Sequence, residues 1–396
     1  MADNRFTFIE ERLEDAESTR PSLTYWQDAW RRLKQNKTSM LGLIIIALII
    51  VFAIIGPMFT GYSYSDQKNE FRNMPPTLSI IPIEKDINFH VSKDYNMFVV
   101  SDKGVLIERL LIEQEDKDII NKVYNFHYGD KVVPLDFSYN LLKNKMGYDY
   151  DYTVTYEGKV YEGSTDKVRN KSYPFGTDEL GRDLLTRVMY GARISLLVAL
   201  IATLVNLFIG VVYGSISGFE GGRVDNIMMR IVDIINSIPL VIYVILLMVW
   251  FRGGGLWNII IALSSVYWVG MARIVRGQML SLKEQEFVLA ARTMGVSKFK
   301  IIARHLIPNA MGPIIVSMAM MIPSAVFTES FLSFIGLGVS APQASWGTLA
   351  NNALPGLTTY PHQLFFPALA IAFTMLAFNF VGDGLRDALD PRLRKG

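Results

Sequence analysis

Six runs in this 396-residue chain stay apolar and uncharged for about 18 residues or more, the length a helix needs to cross the hydrocarbon core of a bilayer. They are Leu41 to Phe59, Ile194 to Phe219, Ile234 to Phe251, Gly253 to Ala272, Pro308 to Thr328 and Leu364 to Val381. A backbone in lipid has no water to satisfy its polar groups, so each run is predicted to be a helix. The expected fold is an all-α polytopic membrane protein with six transmembrane helices. No cleavable leader is read at the amino terminus, because mostly polar residues precede the first run and no small-residue cleavage pattern follows it.

The chain divides at these runs. Residues 1–39 form an amino-terminal tail with an interfacial helix, 40–60 the first span, 61–175 an insert, 176–383 a core with spans two to six, and 384–396 a second tail. In "LTYWQDAWRRLKQNK", Leu23, Trp26, Trp30 and Leu33 recur at three and four, opposite Arg31, Arg32, Lys34 and Lys37. This pattern suits an amphipathic helix lying in the membrane interface. The insert differs in character from its surroundings. Thr153 to Tyr156 and Val160-Tyr161 are β-formers flanking Glu157-Gly158-Lys159, a hairpin signal, whereas "GVLIERLLIEQEDKDIINKVYNF" reads as helix. An α+β domain is therefore expected there. Its Asp149-Tyr150-Asp151 stretch lacks the further acidic ligands of a calcium loop.

Positive charge sets the expected orientation. Arg31, Arg32, Lys34 and Lys37 precede span one; Arg276, Lys283, Arg292, Lys298, Lys300 and Arg304 lie between spans four and five; Arg386, Arg392, Arg394 and Lys395 follow span six. Gly336 to Gln363 carries no Lys or Arg. Both termini and the link between spans four and five are thus expected in the cytoplasm, and the insert outside. A net charge of +2, with its basic residues localised in this way, points to no nucleic-acid partner.

No catalytic constellation emerges. The 4 histidines are scattered, cysteine is absent, and Gly253-Gly254-Gly255 lacks the Lys-Ser/Thr that a phosphate loop requires. One acid stands inside a long apolar stretch: Glu329, in "SAVFTESFLSFIGLG". It reads equally well as a pore-lining or gating carboxylate, or as a group satisfied by neighbours such as Thr328 or Ser330. In "FGTDELGRDLLTRVMYGARISL", Asp178 and Glu179 suit a helix start and Asp183 stands four residues before Arg187, as in an interfacial helix leading into span two.

The link at 281–309 is patterned like a packed element. Phe287, Ala290, Ala291 and Met294 describe one face of a short helix, which Gly295 ends. Ser297 is placed to cap a second helix with an inner face of Phe299, Ile302, Ala303 and Leu306, and Pro308 is expected to stop it. Small alanines before the elbow and a basic rim suit docking into a partner's groove.

This segment resembles the EAA loop of ABC importer permeases, Glu-Ala-Ala, three residues, Gly, nine residues, Ile-x-Leu-Pro. Ala290-Ala291, Gly295 and Pro308 hold that spacing, while Leu289, His305 and Ile307 replace Glu, Ile and Leu. With "VDIINSIP", "ESFLSFIGLG", "SWGTL" and "LAFNFVGDGLRDALDPRLR", the chain resembles the oligopeptide/dipeptide permease family, C subunit, over residues 23–60 and 174–394. The resemblance implies a type I ABC importer permease fold in a bacterial cell membrane. It further implies a second permease subunit, two cytoplasmic ATPases that bind ATP and Mg, and an external protein that delivers peptide. No cofactor is then expected in this chain. Leu289, Ala290, Ala291, Gly295, Val296, Ser297 and Pro308 become the ATPase-coupling element. Oligopeptides are the expected cargo, with dipeptides, glutathione, peptide pheromones and nickel chelates as alternatives, and a receptor whose outer domain binds ligand is the reading from a different class.

Overall fold

The computed structural model describes residues 24–140, 148–251 and 255–390. The tail at 1–23, Gly253-Gly254, and Arg392, Arg394 and Lys395 lie outside them.

Two helices open the described chain, α1 at Tyr25–Gln35 and α2 at Lys37–Ile54. In α1 the expected apolar face splits: Leu33 and Ala29 are buried, whereas Trp26 and Trp30 are half exposed and Lys34 stands over the Trp30 ring. The tryptophans are thereby left free for the interface. α2 is apolar all round, as a span should be. The other long apolar helices are α3 at Leu184–Glu220, α6 and α7 at Leu256–Val266 and Trp268–Leu282, and α12 at His362–Leu389. α12 runs on through residues 384–389, which the sequence placed in the tail. A fifth begins at α9, Lys298–Ile301, passes through a π-turn at Ile302–Leu306, and continues as α10, Ile307–Leu332. Pro308 therefore does not end that helix. It cannot donate to the carbonyl of Arg304, and the π-turn just before it absorbs the lost bond.

The third expected span is broken. α4 at Gly222–Ser237 and α5 at Leu240–Trp250 meet at 86°. Pro239 forces Ile238 into extended backbone (φ −83°, ψ 122°) and ends α4 there. An 11-residue α5 is about 16 Å long, short of the hydrocarbon thickness by itself. The described residues thus contain five helices long and apolar enough to cross a membrane, or six if the bent pair counts as one. A short buried helix, α11 at Trp346–Ala353, lies in the cation-free link before α12.

Between α2 and α3 the described residues form two antiparallel sheets. The first joins β1 (Thr77–Glu84), β2 (Ile87–Val91), β3 (Met97–Val100), β4 (Leu106–Arg109) and β10 (Asp166–Arg169) in the order β10-β1-β2-β3-β4. The second runs β5-β6-β7-β8-β9, from Lys117–Asp118, Val123–Tyr128, Lys131–Asp136, Thr153–Tyr156 and Lys159–Glu162. Phe89, Val99, Phe126, Val133, Leu135 and Val154 fill the space between the sheets. A second cluster, with Leu78, Phe98, Tyr173 and Met74, covers the other face of the first sheet. The hairpin is present, with Glu157 and Gly158 alone in the turn at positive φ. The helix read over "GVLIERLLIEQEDKDIINKVYNF" is not: β4, β5 and β6 occupy it. Leu106 is buried while Val105 and Ile107 point out, so the period is 2, hidden because the outward positions are apolar too. This β domain rests on the start of α12, where Phe175 stacks on Phe366 at 3.8 Å and the Gln363 amide donates to Asn73 Oδ1 and the Thr177 carbonyl, both at 3.0 Å.

The helices are held by close backbone approach. On α3, Gly210, Gly214 and Gly218 face α7 at four-residue spacing. A Cβ at Gly214 would lie 2.4 Å from the Ala272 carbonyl oxygen, and one at Gly218 would lie 2.6 Å from Met279 Cβ. Such small-residue ridges let apolar helices pack where no hydrophobic force distinguishes a neighbour from lipid. Gly42 of α2 likewise meets the Ala377 carbonyl of α12. Replacing Gly214 by Val should destabilise the chain by about 1–3 kcal/mol through overpacking. Gly277, where a Cβ meets open space, should accept Ala and gain about 1 kcal/mol of helix propensity. Thermal unfolding in detergent reads both.

Candidate functional site

The 281–309 loop sits at the far end of α3 from the β domain, across 37 residues or about 55 Å of helix. Its first helix, α8, covers Glu286–Thr293, and Gly295 (φ +74°) makes the expected left-handed elbow. A Cβ at Gly295 would meet open space, so the demand for glycine there comes from the backbone alone. Ser297 stands at the N-cap of α9 in extended backbone, although its hydroxyl makes no capping bond.

The inward face differs from the one read in the sequence. Val288, Ala291, Ile301 and Leu306 are buried, with Val296 packed against them, and they join Phe219 of α3 and Val275 and Met279 of α7 in one core. Of the residues assigned to the first face, only Ala291 points inward; Ala290 is exposed, as are Phe287 and Met294. On the second helix Phe299 and Ala303 are exposed instead of inward. The outer surface therefore presents Phe287, Leu289, Ala290, Met294 and Phe299, with Met294 76% and Phe299 78% accessible. Pro308 lies beyond the two short helices, at the start of α10.

Cations from the loop converge on the last turn of α3, where the helix ends in unpaired carbonyls. Lys283 Nζ donates to the Gly218 carbonyl at 3.0 Å, the Arg292 guanidinium covers the Phe219 ring at 5.0 Å, and Lys298 reaches both Glu220 oxygens at 2.9 Å. One helix turn further, Asp225 of α4 is buried and accepts from Ser217 Oγ at 2.5 Å and from Arg276 through Nε (2.9 Å) and Nη2 (2.5 Å). This fork joins α3, α4 and α7 at one carboxylate. Arg292 and Lys298, expected on a basic rim facing a partner, turn instead to the end of α3, while Lys300 and Arg304 stay exposed; the glycine ridge and the Asp225 fork were not anticipated, and the four-residue glycine spacing was the available signal.

Glu329 is fully buried. Its carboxyl accepts from Ser195 of α3 and from Ser333, each at 2.8 Å, and from Ser330 at 3.4 Å. The Trp346 backbone amide donates to the same Ser195 hydroxyl at 3.3 Å. Of the two neighbours considered from sequence, Ser330 makes a long contact and Thr328 bonds elsewhere, to the Ser324 carbonyl and the Tyr267 hydroxyl. The carboxyl is enclosed by its own chain and ties α3 to α10 and α11. At the other end of α3, Asp183 caps the helix through Thr186, and Arg187 faces Asp178 at 3.5 Å instead of the Asp183 four residues before it.

Truncating Asp225 to Ala should leave Ser217 and Arg276 without their acceptor and destabilise the chain by about 1–3 kcal/mol. Truncating Glu220, whose partner Lys298 is largely exposed, should cost no more than about 1 kcal/mol. Thermal unfolding of the two variants in detergent separates the fork from the surface pair.

Two family models match the chain: the N-terminal TM domain of oligopeptide transport permease C over residues 24–76, and the binding-protein-dependent transport system inner membrane component over residues 210–395. The dipeptide transport system permease protein DppC of Bacillus subtilis (strain 168) is 41% identical over 397 residues, covering 100% of this chain and 95% of that protein. The oligopeptide transport system permease protein OppC of the same organism is 42% identical over 382 residues, covering 96% and 94%. The glutathione transport system permease protein GsiD of Pectobacterium atrosepticum is 37% identical over 249 residues, covering 63% and 80%. Those identities over nearly whole lengths show that the chain belongs to the oligopeptide and dipeptide permease C family of ABC transporters, as a membrane transport subunit and not an enzyme.

Proposed function

We propose that this chain supplies half of the translocation unit of an ATP-driven importer in a bacterial cell membrane, moving oligopeptides handed over by an external binding protein. The observation that carries the reading is the 281–309 loop, packed on one side and bare on the other. Its inner face belongs to the core around Phe219, and its outer face leaves Met294 and Phe299 without a partner. Large exposed apolar side chains beside a basic rim suit the cleft of a cytoplasmic ATPase. Leu289, Ala290, Gly295 and Ser297 lie on or next to that outer surface, whereas Ala291 and Val296 pack behind it and Pro308 begins α10. Movement of the ATPase would reach α3 through Lys283, Arg292 and Lys298, and α10 through the continuous helix from Lys298.

In this reading both termini and the loop are cytoplasmic, in line with the positive charge beside α2 and α7, and the β domain is external. ATP and Mg belong to the ATPase partners, and a second permease completes the path. Glu329 serves as a gate tie, fastening α10 to α3 and α11. The β domain contacts the binding protein or the sister permease at the outer mouth. Oligopeptides are preferred over dipeptide or glutathione cargo in this proposal, and uptake of labelled peptides of graded length by the reconstituted complex decides the matter.

The loop's two faces predict different defects. Phe299→Glu and Ala290→Arg should leave the permease folded and inserted while peptide-dependent ATP hydrolysis falls about tenfold or more, the scale of losing a central apolar anchor at an interface. Ala291→Arg should instead disrupt the loop's own packing and lower stability. Normal uptake by Phe299→Glu would sink the docking reading. Removal of residues 77–169 should weaken binding-protein docking, read by co-sedimentation with proteoliposomes; unchanged docking and uptake would remove that role.

A further inference from the structure

Arg193 of α3 carries its charge at the edge of the apolar bundle. Its Nε donates to the Ala53 carbonyl at 2.6 Å and its Nη2 to the Ile54 carbonyl at 3.0 Å, so it closes the last turn of α2, where a helix leaves carbonyls unpaired. The guanidinium also covers the Tyr190 ring at 4.4 Å, and Tyr190 in turn meets Tyr64 at 4.6 Å. Just past the same end of α2, the 3₁₀ turn Gly56–Phe59 leaves Met58 and Phe59 exposed. Aromatic rings and a cation gathered at the end of a span mark the level of lipid headgroups. The two carbonyls take up only part of the guanidinium's donor set, and no acid among the described residues forms a salt bridge with it.

A groove of about 470 Å³ runs from this point between α2, α3 and α12. Arg193 and Ile54 border it at the headgroup level, while Ile46, Leu200 and Phe378 line it deeper in the bundle. Along α2, Ile46 and Ile54 are about 12 Å apart, and Arg193 and Leu200 on α3 about 10 Å, each less than half of a hydrocarbon core of about 30 Å. The groove therefore keeps to one leaflet, the one on the β-domain side. Ile50 and Leu197 lie open on its surface. Its other polar side chain, Thr374, already donates to the Ala370 carbonyl at 2.8 Å, which leaves Arg193 as the lining group with donors to spare.

We propose that this groove is a binding site for one phospholipid, with an acyl chain laid between α2 and α3 and the phosphate diester on Arg193. The site stands on the membrane-spanning helices alone and is independent of the cargo and of which side is cytoplasmic. An acyl chain gains no hydrophobic free energy on leaving the bilayer for a wall of Ile and Leu, so a tail by itself would exchange freely. Retention has to come from the head. A guanidinium held by two carbonyls and a ring is already oriented, its fork matches phosphate oxygens, and charge-assisted bonds are strong where little water competes. Because the phosphate is what is recognised, headgroups beyond it are interchangeable. Seated there, the lipid neutralises the cation and fills the seam between α2 and α3.

The test uses the complete transporter, purified in mild detergent, stripped of lipid and incubated with phosphatidylglycerol, phosphatidylcholine or diacylglycerol, with bound lipids counted by native mass spectrometry. Wild type should hold one molecule of either phospholipid more than Leu197→Trp, whose indole occupies the groove while Arg193 stays intact. It should also hold that molecule about tenfold more tightly than Arg193→Gln, the scale of a lost charge-assisted hydrogen bond. Arg193→Lys should keep most of the affinity, and diacylglycerol, which has the tails without the phosphate, should wash off. Arg193→Gln also gives up its bonds to α2, so Leu197→Trp carries the test if that variant fails to fold. Equal retention by wild type and Leu197→Trp, diacylglycerol held as tightly as phospholipid, or a wild-type complex that holds none because a helix of the sister permease fills the groove would each overturn the site.

Discussion

The approach of α3 to α7 along Gly210, Gly214 and Gly218 is the constraint on which the cytoplasm-facing half of the proposed machine depends. With no side chain between them, the two helices run backbone against backbone, and the Ala272 carbonyl and the Met279 side chain occupy the space that α3 side chains would fill. That register brings Arg276 of α7 within reach of Asp225 and sets Lys283 over the last turn of α3. The loop then folds back across the same helix end and completes a core with Phe219. A bulkier ridge would push α7 outward and separate each of these contacts at once, which is why the site cannot be understood from the loop alone.

The sequence carried much of this. Apolar length located the spans, and the Gly295 elbow followed from a break in helical periodicity before a second short amphipathic run. What it did not carry has physical causes. Hydropathy reports what a helix offers to lipid or protein without distinguishing them, so the bend at Pro239 was hidden inside an apolar run from Ile234 to Phe251. In the β domain, β3 is buried on both faces and β4 carries apolar residues outward, so neither shows the alternation that marks a strand. The loop's two faces were confused for a related reason: both are apolar, and periodicity fixes which residues share a face without saying which face a partner takes.

The buried polar groups of the bundle divide by how they are satisfied. Glu329 is met by three serine hydroxyls, and Asp225 by a serine and a bidentate arginine. Each ties three structural elements together, and each lies beside a place where a helix is interrupted: the π-turn at Ser333–Leu337 for Glu329, and the Gly221 break between α3 and α4 for Asp225. These ties run between side chains and fasten neighbouring elements beside each interruption. Thr203 and Asn206 lie in an unbroken helix, where no such need exists, and their acceptors are unpaired.

That contrast bears on how force could travel through the molecule. α3 is the one described element that reaches from the β-domain base, where Asp183 caps it, to the loop, where Lys298 and Lys283 hold its other end. Midway, Ser195 couples it to Glu329 and Gly210 locks it to α7. A helix so long, capped at both ends and clamped between, gives the loop and the β-domain base a common support. α10, whose internal prolines at 313 and 323 each remove a backbone bond, is the more easily bent of the two helices that Ser195 and Glu329 tie together.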